Sequence, residues 1–212
     1  MSSTVQLTDC SGYDTTIGSM TSTTNSHMGE AADYAYKICA SAAAPPQSLS
    51  FAVSANSIVF GQLFPTKTRW ARNALALDGF DTEVQAMYLD VATNAQYGYL
   101  VSVQGDTLKS GTTSIDAIGA TALAANIGTN QFGINVNPSG SGNGTAIYPY
   151  DGAGASLYAY AADATTTSNI AQSTFGDGVS TQFFIGYMAN ITPSLNPGAY
   201  STVLTYVVTA QY

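Results

Sequence analysis

Three carboxylates fall within six residues, at Asp78, Asp81 and Glu83. Two chemistries use such a set. Calcium takes carboxylate and carbonyl oxygens, and glycoside hydrolysis needs two carboxyl groups flanking one bond. The spacing matches no EF-hand loop. Calcium held by Asp78, Asp81 and Glu83 therefore stands beside a plainer reading, a solvated acidic turn ahead of a strand. A secreted hydrolase would rest on this cluster alone. Imidazole chemistry would fall to His27, the one histidine, in a stretch rich in Ser, Thr and Asn with no motif around it. No nucleophile elbow, zinc-binding helix motif or phosphate loop is present. Gly140, Gly142 and Gly144 alternate, yet no helical pattern follows to offer an N-terminus to phosphate. The sequence offers no catalytic residue, and calcium is the one cofactor it leaves open.

Other residues carry binding or covalent chemistry. Asn143-Gly-Thr145 and Asn190-Ile-Thr192 are acceptor sequons for N-glycosylation, the first in a stretch (137–145) that reads as a flexible loop by composition. Fourteen tyrosines present aromatic faces with polar tips, which suit stacking on sugars. Tyr148, Tyr150, Tyr158 and Tyr160 are the densest group, and they suit the faces of strands equally well. Trp70 with Arg69 and Arg72 forms the one basic-aromatic cluster. Cys10 and Cys39 lie in no metal-binding pattern. Two buried thiols would fit a reducing compartment and one disulfide an exported protein. The uncharged surface composition favours the disulfide.

Those residues must be positioned by strands. Phe183, Ile185, Tyr187, Ala189 and Ile191 fall on one face, as do Tyr200, Thr202, Leu204, Tyr206 and Val208. This period of two marks half-buried strands, and Pro197-Gly198 between them reads as the turn of a β-hairpin. Similar alternation recurs over 49–53, 57–63, 83–93, 97–104 and 131–136, with turn residues between. The pattern is that of an all-β protein, an antiparallel β-sandwich of the Ig-like or jelly-roll-like kind. Residues 121–127 suggest a single helical turn. Residues 1–46 differ in composition and end at Pro45-Pro46, which breaks the chain. They read as an extended N-terminal arm closed on itself by Cys10–Cys39, followed by the β-sandwich domain over 47–212. Within the arm, 30–44 is ambiguous: its alanines favour helix, while Tyr34, Tyr36 and Ile38 alternate as in a strand.

Composition narrows the setting. Charged residues make up 8% of the 212-residue chain, about a third of the usual share, so Ser, Thr, Asn, Gln, Gly and Tyr must cover the surface. Net charge is −8 and the isoelectric point about 4.1, which repels nucleic acid. No apolar run approaches the length of a membrane span, and no signal peptide is read in the numbered chain.

The run over 190–210, NITPSLNPGAYSTVLTYVVTA, resembles the closing segment of secreted bacterial surface β-sandwich proteins of the fimbria- or pilus-like filament subunit type. Leu49-Ser-Phe51 with Phe60-Gly61, the run AQYGYLVSV over 95–103 and QFGIN over 131–135 resemble further segments, so the likeness covers about 47–212. Its motifs are structural and carry no catalytic residue. The resemblance implies an extracellular, non-enzymatic role at the cell surface. The expected function is a structural subunit of a filament or pilus-like fibre, a homopolymer of identical subunits built head-to-tail by strand exchange. The N-terminal arm is the expected donor, with Val5 and Leu7 as its plugs, and 199–212 is the second choice. The alternative is a monomeric adhesin or carbohydrate-binding module that takes a glycan or other surface ligand on Tyr148, Tyr150, Tyr158 and Tyr160.

Overall fold

The computed structural model describes residues 2–6, 9–22, 27–41, 45–161 and 163–212. Contacts divide the chain into two compact units, 1–46 and 47–212. The first unit holds four strands: β1 (Ser2–Gln6), β2 (Thr15–Met20), β3 (Met28–Gly29) and β4 (Tyr36–Ser41). They form one antiparallel sheet in the order β1-β4-β2-β3. Within the ambiguous stretch, Tyr36–Ser41 is strand, because pairing on both of its edges outweighs a helix preference of a few tenths of a kcal/mol per residue; residues 42–44 lie outside the described residues. Cys10 and Cys39 form a disulfide, with 5.4 Å between their Cα atoms. It ties β4 to the chain that follows β1.

The second unit is a β-sandwich. Its strands are β5 (Leu49–Val53), β6 (Ile58–Val59), β7 (Arg69–Trp70), β8 (Arg72–Asn73), β9 (Gln85–Thr93), β10 (Tyr99–Gly105), β11 (Lys109–Ser110) and β12 (Thr113–Ser114). There follow β13 (Gly119–Ala124), β14 (Gln131–Gly140), β15 (Thr145–Ala146), β16 (Leu157–Tyr160), β17 (Asp163–Ser173), β18 (Thr181–Asn190) and β19 (Leu204–Ala210). One sheet runs β13-β16-β14-β18-β9-β5, with β7 also on β18. The other runs β15-β17-β10-β19. Alternate residues of each face inward, as the pleat requires. Phe132, Ile134 and Val136 of β14, Phe183 and Ile185 of β18, and Leu89 and Val91 of β9 are buried with Tyr99, Val101 and Val103 of β10. Aromatic contacts fix the two layers face to face, with the Tyr99 and Phe183 rings edge-on at 6.2 Å.

Three expectations are corrected. β18 and β19 are not a hairpin. They lie in different sheets, and residues 191–203 carry the chain across the sandwich, with a turn where Leu195 N–H donates to the Thr192 carbonyl. Period-two patterning says that a strand is half-buried but not which sheet holds it. Residues 121–124 belong to strand β13, paired with β16. The glycine-rich stretch is a packed corner. A Cβ on Gly144 would lie 2.4 Å from the Tyr99 hydroxyl and 2.5 Å from the Phe183 ring, so those glycines allow close approach of the chain to the core.

Candidate functional site

The sandwich is open along one side, where the terminal strands of its two sheets face each other. Among the described residues β5 pairs with β9 alone and β19 with β10 alone. A groove of roughly 1050 Å³ reaches Val53 at the end of β5 and Leu204 and Tyr206 of β19. One wall is the chain from Val53 to Leu63 and the other the chain from Leu195 to Tyr206, with Met87, Phe132 and Tyr187 beneath.

Register shows what is missing. Phe51 stands opposite Val91 and Val53 opposite Leu89, and residues opposite one another share a face of the sheet. Val91 and Leu89 are fully buried. Leu49, Phe51 and Val53 share their face yet remain 38%, 39% and 43% exposed. The core-facing layer of the first sheet therefore extends one strand beyond the second sheet that covers it.

The second wall supplies unpaired backbone. Gln211 exchanges hydrogen bonds with Tyr97 and Gly98, immediately before β10, and Ser201 with Lys109 of β11. From Gly98–Gln211 the pairing runs without a register shift to Gly105–Leu204, and hydrogen bonding alternates along an antiparallel strand. Odd-numbered residues of β19 therefore bond β10. The N–H and C=O groups of Leu204, Tyr206, Val208 and Ala210 point to the open side. The side chains of Leu204, Tyr206 and Val208 pack against the core. The Tyr206 and Tyr187 hydroxyls lie 2.6 Å apart, and burial pushes both well above the ordinary tyrosine range.

The first wall is clamped from behind. Arg69 is 5% exposed and donates to the Phe60 carbonyl at 3.2 and 3.3 Å. Nη2, one of those two donors, also reaches Asp78 at 2.6 Å, and Nη1 reaches Asp81. Lys67 donates to Asp81 at 2.6 Å. These bonds, from Lys67 and then Arg69, hold the Asp81 carboxyl below the usual carboxylate range. Gly61 has φ +62°, and a Cβ there would lie 1.5 Å from the Asp78 carboxylate. The acidic cluster is thus divided. Asp78 and Asp81 close on Arg69, while Glu83 accepts from Asn135 Nδ2 at 2.8 Å and Ser156 Oγ at 2.5 Å. Among the described residues no three His, Cys, Asp or Glu side chains converge as a metal would need.

The remaining candidates have structural surroundings. Tyr150, Tyr158 and Tyr160 are buried in the core and only Tyr148 is exposed, so these four form no sugar-binding platform: Tyr158 and Tyr160 lie in β16 and Tyr150 in the turn before it. Trp70 Nε1 donates to the Tyr158 hydroxyl at 2.7 Å, and the cations over rings are Arg72 on Phe80 and Lys67 on Phe64. Asn190 is 1% exposed and donates to Gln131. Asn143 donates to the Phe175 carbonyl and accepts from Ser173. Both sequon amides are engaged in hydrogen bonds; Asn190 is buried, while Asn143 is partly exposed. His27 is exposed. Val5 lies in β1 opposite Ile38, and Leu7 lies outside the described residues. No helix among the described residues is long and apolar enough to cross a membrane.

The groove was missed in the sequence because nothing in the run LSFAV distinguishes a covered strand from an uncovered one. Comparison with protein-family models, curated proteins and solved structures found no match to this chain.

Proposed function

We propose that this chain is a structural subunit of an extracellular filament or surface fibre, assembling head-to-tail by strand exchange. The observation that carries the reading is the open side of the sandwich: an unpaired β19 edge beside the uncovered inner face of β5. Unpaired backbone calls for another strand, and uncovered apolar side chains call for alternate apolar partners. Addition of an extended segment meets both needs at once. β19 spans about 23 Å at 3.3 Å per residue, so a donor of similar length fills it. The donor in this reading is the N-terminal arm of the next copy, with Val5 and Leu7 as plugs, and donation requires β1 to exchange its pairing with β4 for pairing with β19. Such a contact is heterologous and propagates rather than closing a dimer. The disulfide and the scarcity of charge support an oxidising, extracellular setting.

Electron microscopy of the full chain, beside a Val5→Asp/Leu7→Asp variant, tests this. Filaments lost in the variant support the arm as donor. Filaments that persist transfer the role to another segment. Monomers alone, at every concentration, sink the filament reading.

A further inference from the structure

The strand that the groove calls for is already paired. Among the described residues β1 is held along one edge, by five residue pairs with β4 that run from Ser2–Ser41 to Gln6–Lys37. β4 is held along both, since β2 pairs with its other edge. A terminal strand opens at lower free energy than one held on both sides. β1 can therefore leave while β4 and β2 stay together.

The root of β1 is fixed. Cys10 is bound to Cys39, inside β4. Past it, Tyr13 N–H donates to the Cys10 carbonyl and Asp14 N–H to the Ala40 carbonyl. Just before it, the Asp9 carboxylate accepts from the Ser11 N–H at 3.0 Å and from the Ser11 hydroxyl at 2.6 Å. The chain around Cys10 is thus pinned to β4 covalently, while β1 is held by pairing along one edge. The sheet that holds it has little core, with Cys39 and Ala40 as its buried apolar residues among those described. A sheet so sparsely packed depends on its crosslink to stay folded.

Resting on the strand-exchange reading, we propose that the first unit is a latch on assembly. Pairing with β4 sequesters the donor strand, and the Cys10–Cys39 crosslink keeps β4 in place to hold it. A donor that is free for only a fraction of the time associates in proportion to that fraction. The exchange is favourable once made. β1 gives up five residue pairs and meets the open edge of a seven-residue strand, β19, where it also covers β5. The latch therefore governs how fast subunits join, through the opening of β1.

The test follows assembly of the full chain by light scattering and electron microscopy in three forms. These are the wild type, Cys10→Ser/Cys39→Ser, and oxidised Ser2→Cys/Ser41→Cys, whose added disulfide joins residues that stand opposite one another in β1 and β4. Near-UV circular dichroism, which reads the buried tyrosines of the sandwich, checks that the second unit is folded in each form. The chain without the native crosslink is expected to assemble faster than wild type by about tenfold or more, and the locked chain slower by about as much. Assembly of the locked chain at the wild-type rate overturns the latch and passes the donor role to another segment. An arrested locked chain, beside a crosslink-free chain no faster than wild type, overturns the latch and leaves the arm as donor. Monomers in all three forms overturn the filament reading and the latch with it.

Discussion

The guanidinium of Arg69 joins three groups: the Phe60 carbonyl on the groove wall and the carboxylates of Asp78 and Asp81 in one turn. A buried cation is tolerable only when its donors are used. Replacing Arg69 with methionine keeps the stem and removes those bonds. The expected loss is about 2–3 kcal/mol, read by urea denaturation, and any strand binding in the groove should weaken with it. An unchanged midpoint would mean that the clamp contributes nothing. Gly144 makes a second prediction. Its missing Cβ leaves room for the Tyr99 hydroxyl and the Phe183 ring, so Gly144→Ala should cost about 1–3 kcal/mol through overpacking, again read by denaturation. Tolerance of alanine there would mean that the corner is loose.

At the scale of elements, the first unit has a small core, in which Cys39 and Ala40 are the buried apolar residues among those described. The Cys10–Cys39 crosslink closes a loop of sequence separation 29, which stabilises by about 3–4 kcal/mol on the loop-entropy account. A Cys10→Ser/Cys39→Ser chain should lose amide-exchange protection in β2 and β4 and keep it in β9, β14 and β18. Protection retained in β4 would contradict the crosslink's role. Much of this layer was legible in the sequence. Met87, Leu89 and Val91 alternate and are buried in β9, and the same holds for Tyr99, Val101 and Val103 in β10. β17 escaped notice because its run, DATTTSNIAQS, is polar, with Ile170 and Ala171 supplying its apolar core contacts. The supposed hairpin failed for a related reason: alternation marks faces, while sheet membership depends on contacts remote in sequence. The groove was illegible on the same account, since it exists only where β5 ends one sheet and β19 the other. Asp78, Asp81 and Glu83 are adjacent in the chain, but their partners, Arg69 and Asn135, are set by pairing that spacing does not encode.

At the scale of the whole molecule, the sandwich core is rich in buried tyrosine. Burial pushes the hydroxyls of Tyr158, Tyr160, Tyr187 and Tyr206 above their ordinary value of 10.0. The folded state therefore favours the neutral phenol. Its contribution is fully present below pH 10 and is lost as the pH rises through the folded values. Stability should stay level on this account up to about pH 9 and then fall by up to about 1.4 kcal/mol per pH unit for each such tyrosine. Urea denaturation across alkaline pH, with tyrosinate absorbance read in parallel, checks it. Tyrosines that ionise near 10 without loss of fold would contradict their burial. The central claim concerns the open side. Its most direct test is residue-resolved amide hydrogen exchange on the monomer and on the assembled material. The account predicts that the N–H groups of Leu204, Tyr206 and Val208 exchange readily in the monomer and become at least a hundredfold more protected on assembly, while the amides of Thr205 and Val207, already bonded to β10, change little. Assembled material in which Leu204, Tyr206 and Val208 exchange as fast as in the monomer would show that no strand is added there.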